Sequence, residues 1–413
     1  MKRQFQLKSL KIKNYRSFYS EQTIVFGTKT KINSVTALYG PNASGKSNTA
    51  IALLYIYQFL LKSSDANILH LPYDPFLLKE GSGVEDSEFE LVLTSNSRNL
   101  RYTFAVNRER VSHESLVELS SNFNKPEQIF GRNFNKKTDN YDYSSATAKH
   151  GFGKKIIEAT RSGALLITIA REFNNEYANL IFDWLAHTNI LIGESPQLRN
   201  MGVRAMSNNP SLKDGVLKLL KDTDFWIRDM PIQDVPIPDA LVDSLPLAES
   251  EKLKIRGQMG ASVKTSHAVR NKNGDIVGDV LFDMVTQESA GTNGFFDIAA
   301  PIIDTINKGM ILYIDEFGAH IHPDISQYIV RMFADSTINH AGAQLIINAH
   351  DTSLMAPDSA LGRDNIILVE KNMFEESVVK PLAKKSVRKD EQYEKRYRQG
   401  LYGAKPYLDI EDD

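Results

Sequence analysis

The sequence VTALYGPNASGKS, from Val35 to Ser47, decides how the rest of the chain is interpreted. A short apolar run precedes the pattern G-x-x-x-x-G-K-[ST], and a long apolar stretch up to Leu61 follows it. A strand, a phosphate-binding loop and a helix have this order. Gly40 and Gly45 would let the backbone take positive φ and turn its N–H groups toward an anion. The alternative is a glycine-rich surface turn that happens to end in Lys-Ser.

The same loop contains the groups that hold a nucleoside triphosphate and its metal ion. Lys46 would reach the β- and γ-phosphates, and the hydroxyl of Ser47 would bind Mg²⁺. The following helix would direct its positive N-terminal end at the phosphates. We therefore predict ATP and Mg²⁺ as cofactors. The predicted nucleotide-binding residues of this loop are Gly40, Pro41, Asn42, Ala43, Ser44, Gly45, Lys46, Ser47 and Asn48.

A pair of carboxylates follows a second apolar strand. Asp315 and Glu316 come directly after the run Met310 to Ile314, which is typical of a strand buried on both faces. Charged groups at that depth need a cation, a partner or water. In a phosphate-loop protein, Asp315 would hold the Mg²⁺ shell and Glu316 would polarise the attacking water. The alternative is a strand end that caps a helix.

A third apolar strand, Gln344 to Ala349, ends at His350. Ligands bind at the carboxyl ends of strands in parallel α/β sheets, so His350 is a candidate site residue. A structural histidine is the alternative. His320 could join Asp315 and Glu316 in a metal cluster. The sequence His322-Pro323 could instead simply start a helix over 324–333.

A second anion-binding nest is predicted upstream, at Glu288 to Thr292. Ser289 and Gly291 open a predicted helix there, a favourable place for a phosphate. One chain cannot easily wrap two such nests around one nucleotide. The arrangement therefore indicates two copies of the chain sharing it.

The composition is that of an ordinary globular chain with 413 residues, a formal net charge of -2 and 42% hydrophobic residues. There is no cysteine, which excludes disulfides, thiolate zinc sites and cysteine nucleophiles. No run of about 18 apolar residues occurs, and the N-terminus lacks the apolar core of a signal peptide. We therefore expect a cytoplasmic protein with no membrane segment.

The rest of the chain alternates between strand and helix patterns. Antiparallel strands are predicted within 6–26 and 89–106, and a hairpin over 263–282 turns at Asn273-Gly274. Helical spacing runs from 154 to about 220. Residues 121–153 are rich in Asn, Lys, Ser, Gly and Tyr, which predicts a loop, and prolines interrupt regular structure between 230 and 250.

The order of these elements resembles the ABC-type ATPase heads of the SMC and RecF groups. Supporting stretches include Lys13 to Phe18 near the start and Tyr393 to Pro406 near the end. Within these groups the chain is most similar to the compact RloA and PARIS AriA ATPases and the overcoming-lysogenization (OLD) ATPases of bacterial anti-phage systems. The resemblance touches both ends of the chain and is weak over 110–260.

The resemblance implies a head-to-tail ATP sandwich between two subunits. Ser289 and Gly291 would contact the γ-phosphate bound by Lys46 of the other subunit, and His350 would sense that phosphate. The signature here is Ser-Ala-Gly-Thr, where the family has Ser-Gly-Gly. The glutamine that usually links Mg²⁺ to the inserted lobe has two candidates, Gln128 and Gln287.

We therefore predict an α/β fold, a P-loop NTPase of the ABC-ATPase-head type with an antiparallel β subdomain and an inserted, mostly helical lobe. Residues 1–110 would form the N-terminal part of the ATPase lobe, with the phosphate loop. Residues 111–260 would form the inserted lobe. Residues 261–380 would complete the ATPase lobe, and 381–413 would form a basic and aromatic tail.

The tail has three interpretations. Residues 384–398 contain seven Lys or Arg and three acids, with Tyr393 and Tyr397 among them. Basic charge with aromatic side chains suits the backbone and bases of a nucleic acid. The same pattern also suits a docking surface for another protein or a solvated helix.

Three functions fit these observations. The first is an ATP-hydrolysing sensor or switch of an abortive-infection type defence system. It would assemble as a homodimer or higher oligomer and control a separate effector, a nuclease or toxin, with a phage-encoded trigger as a further partner. The alternative is a DNA-repair or DNA-end-binding ATPase of the RecF or SMC kind. The third is a scaffold with a vestigial nucleotide site.

Overall fold

The computed structural model describes residues 4–28, 31–65, 73–119, 126–193, 196–237, 239–244, 249–319, 321–384 and 392–404. The chain forms two compact units. The first contains residues 1–192, 305–319 and 326–413, and the second contains residues 193–304 and 320–325.

The nucleotide-binding motifs lie on a mixed sheet of the first unit. In the described ranges this sheet has six strands in the order β16-β15-β3-β14-β13-β9, all parallel except for the edge strand β16. Every residue of β3 and β14 is buried, as expected for central parallel strands covered on both faces. The strands are β3 (Val35–Tyr39), β9 (Thr188–Leu191), β13 (Ile311–Phe317), β14 (Gln344–Ala349), β15 (Ile366–Lys371) and β16 (Ser377–Pro381).

An antiparallel sheet forms the other large layer of the first unit. Among the described residues its strand order is β2-β1-β4-β5-β6-β7-β8. A single cluster of buried apolar side chains joins residues of both sheets. The strands are β1 (Gln6–Lys13), β2 (Gln22–Val25), β4 (Ser87–Ser95), β5 (Arg98–Val106), β6 (Val111–Leu119), β7 (Glu127–Asn135) and β8 (Asn140–Tyr143).

The helices of the first unit include α1, which follows the phosphate loop and buries Leu53, Ile56 and Leu60 in the shared core. In chain order the helices of this unit before residue 193 are α1 (Lys46–Lys62), α2 (Ala146–Lys149), α3 (Lys154–Ala159), α4 (Leu166–Glu172) and α5 (Glu176–Ala186).

The second unit combines helices with a small antiparallel sheet, whose described strands are β10 (Ile232–Pro236), β11 (Met259–Arg270) and β12 (Ile276–Asp283). Its helices before residue 256 are α6 (Pro196–Asn208), α7 (Pro210–Asp222), α8 (Asp239–Ser244) and α9 (Glu249–Ile255). Two longer helices begin in this unit and end in the first, α10 (Ala290–Lys308) and α11 (Pro323–Ala334). The last described helix of the chain, in the first unit, is α12 (Tyr393–Arg398).

The predicted α/β class, with a phosphate-loop strand and a separate antiparallel β subdomain, is confirmed. The paired strands predicted within 6–26 and 89–106 and the hairpin over 263–282 are also present, as β1–β2, β4–β5 and β11–β12.

Four expectations about the middle of the chain are wrong. Residues 111–119 and 126–143 are not part of a mainly helical lobe, because β6, β7 and β8 extend the antiparallel sheet. The polar composition that predicted a loop over 121–153 fits strands with one solvated face. Regular structure also persists between 230 and 250, where β10 and α8 form, and the boundary predicted at residue 260 falls inside β11.

Candidate functional site

The topology of the parallel sheet brings three sequence motifs to one edge. Strands β3, β14 and β13 are neighbours and run in the same direction, so their carboxyl ends meet. Gly40 follows β3, and His350 follows β14. Asp315 and Glu316 lie near the carboxyl end of β13. Ligand sites in open α/β sheets form at this edge.

The phosphate loop depends on backbone geometry that only small residues allow. Gly45 has φ +105°, and a Cβ there would lie 2.1 Å from the hydroxyl of Ser377. The prediction that Gly40 takes positive φ is wrong. Ala43 of the same loop has positive φ, +60°. Gly40 is required for a different reason, because a Cβ there would lie 2.0 Å from the carbonyl oxygen of Val369.

Lys46 is buried, and its ammonium group is held by its own loop. Its Nζ donates to the carbonyl oxygens of Gly40 at 2.7 Å and Pro41 at 3.0 Å. Burial lowers the pKa of Lys46, and the charges of Asp315 and Glu316 act in the opposite direction. A cation in this position faces the concave side of a loop that would receive phosphate oxygens.

Ser47 and Asp315 meet across the sheet edge. The Ser47 hydroxyl donates to Oδ1 of Asp315 at 3.2 Å, although 268 residues separate the two in sequence. Asp315 is 8% exposed, so its carboxylate lies in the protein with few water contacts. A hydroxyl and a carboxylate are the hard oxygen ligands that Mg²⁺ prefers. The pair therefore fits the metal predicted from the sequence.

Asn348 completes this arrangement and was missed by the sequence analysis. Its Nδ2 donates to Oδ1 of Asp315 at 2.7 Å and to the carbonyl oxygen of Lys46 at 2.9 Å. Its Oδ1 accepts from the hydroxyl of Tyr313 at 3.0 Å, and that hydroxyl also hydrogen-bonds Thr49. The signal was a polar side chain that directly follows the apolar run Leu345 to Ile347 of strand β14, since a buried amide needs partners.

Glu316 has a strained backbone. Its φ is +57°, in the left-handed region that costs a residue with a side chain about 1 kcal/mol or more. The pairing of β13 with β14 shifts register between Ile314 and Phe317, so Glu316 lies at an irregularity of the strand and is exposed while its neighbours are buried. The structure therefore exposes this carboxylate beside the buried Asp315.

His350 lies within electrostatic range of the same charges. Partial burial and the nearby ammonium of Lys46 lower the pKa of His350, while Glu316 and Asp315 act in the opposite direction. The imidazole is therefore biased toward its neutral form near neutral pH. The structure thus places Lys46, Asp315, Glu316 and His350 near one another.

The predicted signature residues lie in the second compact unit. The hydroxyl of Ser289 accepts from the backbone N–H of Thr292 at 3.0 Å and contacts the Thr292 hydroxyl at 2.8 Å, so Ser289 caps the first turn of α10. Glu288, just before it, accepts hydrogen bonds from Thr265 and from Nε2 of His267. Gly291 lies inside the first turn of α10.

The weaker candidates have local explanations. His322 is exposed, and its Nδ1 accepts from the backbone N–H of Asp324 in the first turn of α11. His320 lies outside the described residues, and among those described no three His, Asp or Glu side chains are grouped to hold a metal. Gln287 accepts from the backbone N–H of Asp283, and Gln128 lies exposed on β7.

The tail differs in one respect from a nucleic-acid surface, which is one of its three interpretations. Tyr393 and Tyr397 are buried against the protein, so their rings are unavailable for stacking with bases. Lys395, Arg396 and Arg398 are exposed on the same helix. Residues 385–391, which include the basic Lys385, Arg388 and Lys389, lie outside the described part of the chain. The basic side chains of α12 are therefore exposed, and its aromatic side chains are buried.

Comparison with models of protein families matches residues 35–192 and 194–356 to the family described as "AAA domain, putative AbiEii toxin, Type IV TA system". The chain belongs to this family. The AAA domain match includes the phosphate loop, the Asp-Glu pair and His350. None of the curated proteins compared with the chain matches it.

Solved structures with similar folds are remote in sequence. The SmcHead bound to the C-winged helix domain of ScpA is 12% identical, with a TM-score of 0.46 over 91% of this chain and 97% of that one. The recombination mediator protein RecF with ATP is 13% identical, with a TM-score of 0.38 over 89% of this chain and 97% of that one. Within the described residues of the AAA domain protein, no helix is long and apolar enough to cross a membrane.

Proposed function

We propose that this AAA domain protein binds ATP with Mg²⁺ between the phosphate loop and the Asp-Glu pair and hydrolyses it. The observation that carries the proposal is the hydrogen bond between Ser47 and Asp315, with Lys46 held beside them. In this proposal the phosphates occupy the loop, and Mg²⁺ binds the oxygens of Ser47 and Asp315.

The chemistry follows from the positions of the remaining charges. Glu316 accepts a proton from the attacking water, whose oxygen bonds to the γ-phosphorus while the bond to the β-γ bridging oxygen breaks. The products are ADP and inorganic phosphate. Lys46 would offset the charge that develops on the leaving oxygen, and Mg²⁺ held by Ser47 and Asp315 would supply further positive charge there. His350, biased toward its neutral form, can hydrogen-bond a γ-phosphate oxygen or the attacking water.

We further propose that turnover serves a switch in bacterial anti-phage defence, of the RloA, PARIS AriA and OLD kind. The family description names a putative AbiEii toxin and a type IV TA system, which supports a role in a toxin–antitoxin system. Two copies would assemble head to tail, with Ser289 and Gly291 of one contacting the γ-phosphate held by the other. The second nest at Glu288 to Thr292 supports this arrangement.

Two pairs of variants test ATP binding and hydrolysis. Lys46→Ala should abolish turnover and weaken ATP binding, whereas Lys62→Ala, at the far end of the same helix α1, should not. Glu316→Gln should bind ATP but fail to hydrolyse it, because only the proton acceptor is lost. Glu375→Gln is its matched control, since Glu375 is also exposed and also has positive φ, +59°.

The assays are ATP titration calorimetry, phosphate release and molar mass by light scattering with and without ATP. The proposal expects Glu316→Gln to increase in mass with ATP and Lys46→Ala to stay unchanged. In cells, Lys46→Ala should lose protection against phage while Lys62→Ala keeps it. Full phosphate release by Glu316→Gln would contradict the role of Glu316, and full protection by Lys46→Ala would contradict the switch.

A further inference from the structure

Helix α12 packs against the carboxyl end of strand β3, close to the candidate site. The ring of Tyr397 meets the ring of Tyr39 edge-on, with centroids 5.9 Å apart. Tyr39 is the last residue of β3 and directly precedes the phosphate loop. Both rings are almost fully buried, so this contact belongs to the packed interior of the first unit.

A second set of contacts reaches the segment that follows β14. Oε1 of Glu394 accepts from the hydroxyl of Thr352 at 3.2 Å, and the hydroxyl of Tyr39 donates to the carbonyl oxygen of Asp351 at 3.0 Å. Thr352 is two residues from His350. The segment His350 to Thr352 is therefore tied to α12 directly through Glu394 and indirectly through Tyr39.

A third set of contacts fastens the end of the described tail. The hydroxyl of Tyr397 donates to the carbonyl oxygen of Ala404 at 2.8 Å, and the N–H of Ala404 donates to Oε2 of Glu370 on β15 at 3.0 Å. A helix of six residues has almost no stability of its own. These contacts are thus what holds α12 in place.

We propose that α12 positions His350, with Glu394 and Tyr397 as positioning residues, so that the docked tail sets the rate of ATP turnover. This inference rests on the proposed ATPase function. Because α12 contacts Thr352 directly and Asp351 through Tyr39, detaching the tail would loosen the segment that follows His350. Displacing a catalytic group by about 1 Å can slow a reaction by about 100-fold, so a partial release should be readily measurable.

The first test compares substitutions at Glu394. Glu394→Ala removes the acceptor for Thr352 and should lower kcat about tenfold with KM for ATP unchanged, because the phosphate loop itself is untouched. Glu394→Gln keeps an acceptor oxygen and should retain more than about half of kcat. Lys395→Ala, at the next and exposed position, is the matched control and should behave as wild type.

The second test does not depend on turnover. Hydrogen exchange of the amides of residues 350–355 should become faster in Glu394→Ala and Tyr397→Ala, and stay as in wild type in Glu394→Gln and Lys395→Ala. Equal exchange in all these variants, or unchanged kcat in Glu394→Ala, would overturn the proposal. If wild type lacks ATPase activity altogether, the ATPase proposal fails, and the exchange result still decides whether α12 holds the segment.

Discussion

Replacing Asn348 with leucine should weaken both the fold and the candidate metal site. Asn348 makes three hydrogen bonds inside the protein, to Asp315, Lys46 and Tyr313. A bond to a charged acceptor contributes about 1.5–3 kcal/mol, and each of the other two contributes about 0.5–1.5 kcal/mol. Asn348→Leu should therefore lower the free energy of unfolding by about 3–5 kcal/mol.

The functional effect should exceed what destabilisation alone explains. Without Asn348, the carboxylate of Asp315 loses the donor that orients it, and losses of this kind weaken metal binding about 10- to 100-fold. The measurement is the dissociation constant for ATP with Mg²⁺ and with chelator. Wild type should bind ATP more tightly with Mg²⁺, and Asn348→Leu should lose most of that difference.

Asn339 supplies a matched control for this experiment. It is also buried and makes three hydrogen bonds, to the backbone of Phe333 and twice to Ala343. Asn339→Leu should cost about 2–4 kcal/mol of stability and leave the Mg²⁺ dependence of ATP binding unchanged. The reasoning is refuted if Asn348→Leu folds and keeps the wild-type Mg²⁺ dependence, or if Asn339→Leu loses it equally.

Three further predictions concern stability. Gly45→Ala places a Cβ 2.1 Å from the Ser377 hydroxyl at a residue with φ +105°, so it should lower the free energy of unfolding in urea by about 3 kcal/mol. Gly81 has φ +83° but open space around it, so Gly81→Ala should lower the same free energy by about 1 kcal/mol. Arg132→Met leaves the fully buried carboxylate of Glu114 without its cation and should cost about 3–5 kcal/mol; a loss below about 1 kcal/mol would contradict this. The pKa of His350 is lowered from 6.5 in the folded chain, so the unfolded chain binds that proton first as pH falls. Unfolding free energy should therefore decrease below about pH 6.5, and His350→Gln should reduce this slope in urea titrations.

The phosphate loop could be predicted because its physics is local. The strand β3, the two glycines and the helix α1 lie within 30 residues, so the motif can be recognised from their spacing in the sequence. The strands β13 and β14 were equally accessible, because strands buried on both faces are apolar throughout. Their parallel order then placed Asp315 and His350 at the same edge.

Other features depend on contacts between distant residues and leave little local signal. The strand β7 contains the buried Arg132, whose charge is offset by Glu114 on β6. Because a buried charged residue interrupts the apolar pattern of a strand, the sequence does not indicate that Arg132 is buried. Gly40 proved necessary because of Val369, more than 300 residues away. Nothing near either residue in the sequence indicates these partners.

In the tail, the sequence pattern suits an exposed binding surface, whereas the structure buries the two tyrosines. Tyr393 and Tyr397 form a pattern that suits nucleic-acid stacking, but both side chains are buried, and the ring of Tyr397 packs against Tyr39 of β3. Aromatic residues beside basic ones fit either arrangement, since a helix can present two different faces. Only the tertiary structure distinguishes the two.

We propose above that a triphosphate and its metal bind between Lys46, Ser47 and Asp315. The most direct test is a crystal structure of the Glu316→Gln variant with ATP and Mn²⁺, located by anomalous scattering. The account predicts the phosphates in the loop from Gly40 to Ser47 and the metal bound by the oxygens of Ser47 and Asp315. A nucleotide bound elsewhere, or a metal away from Asp315, would contradict it.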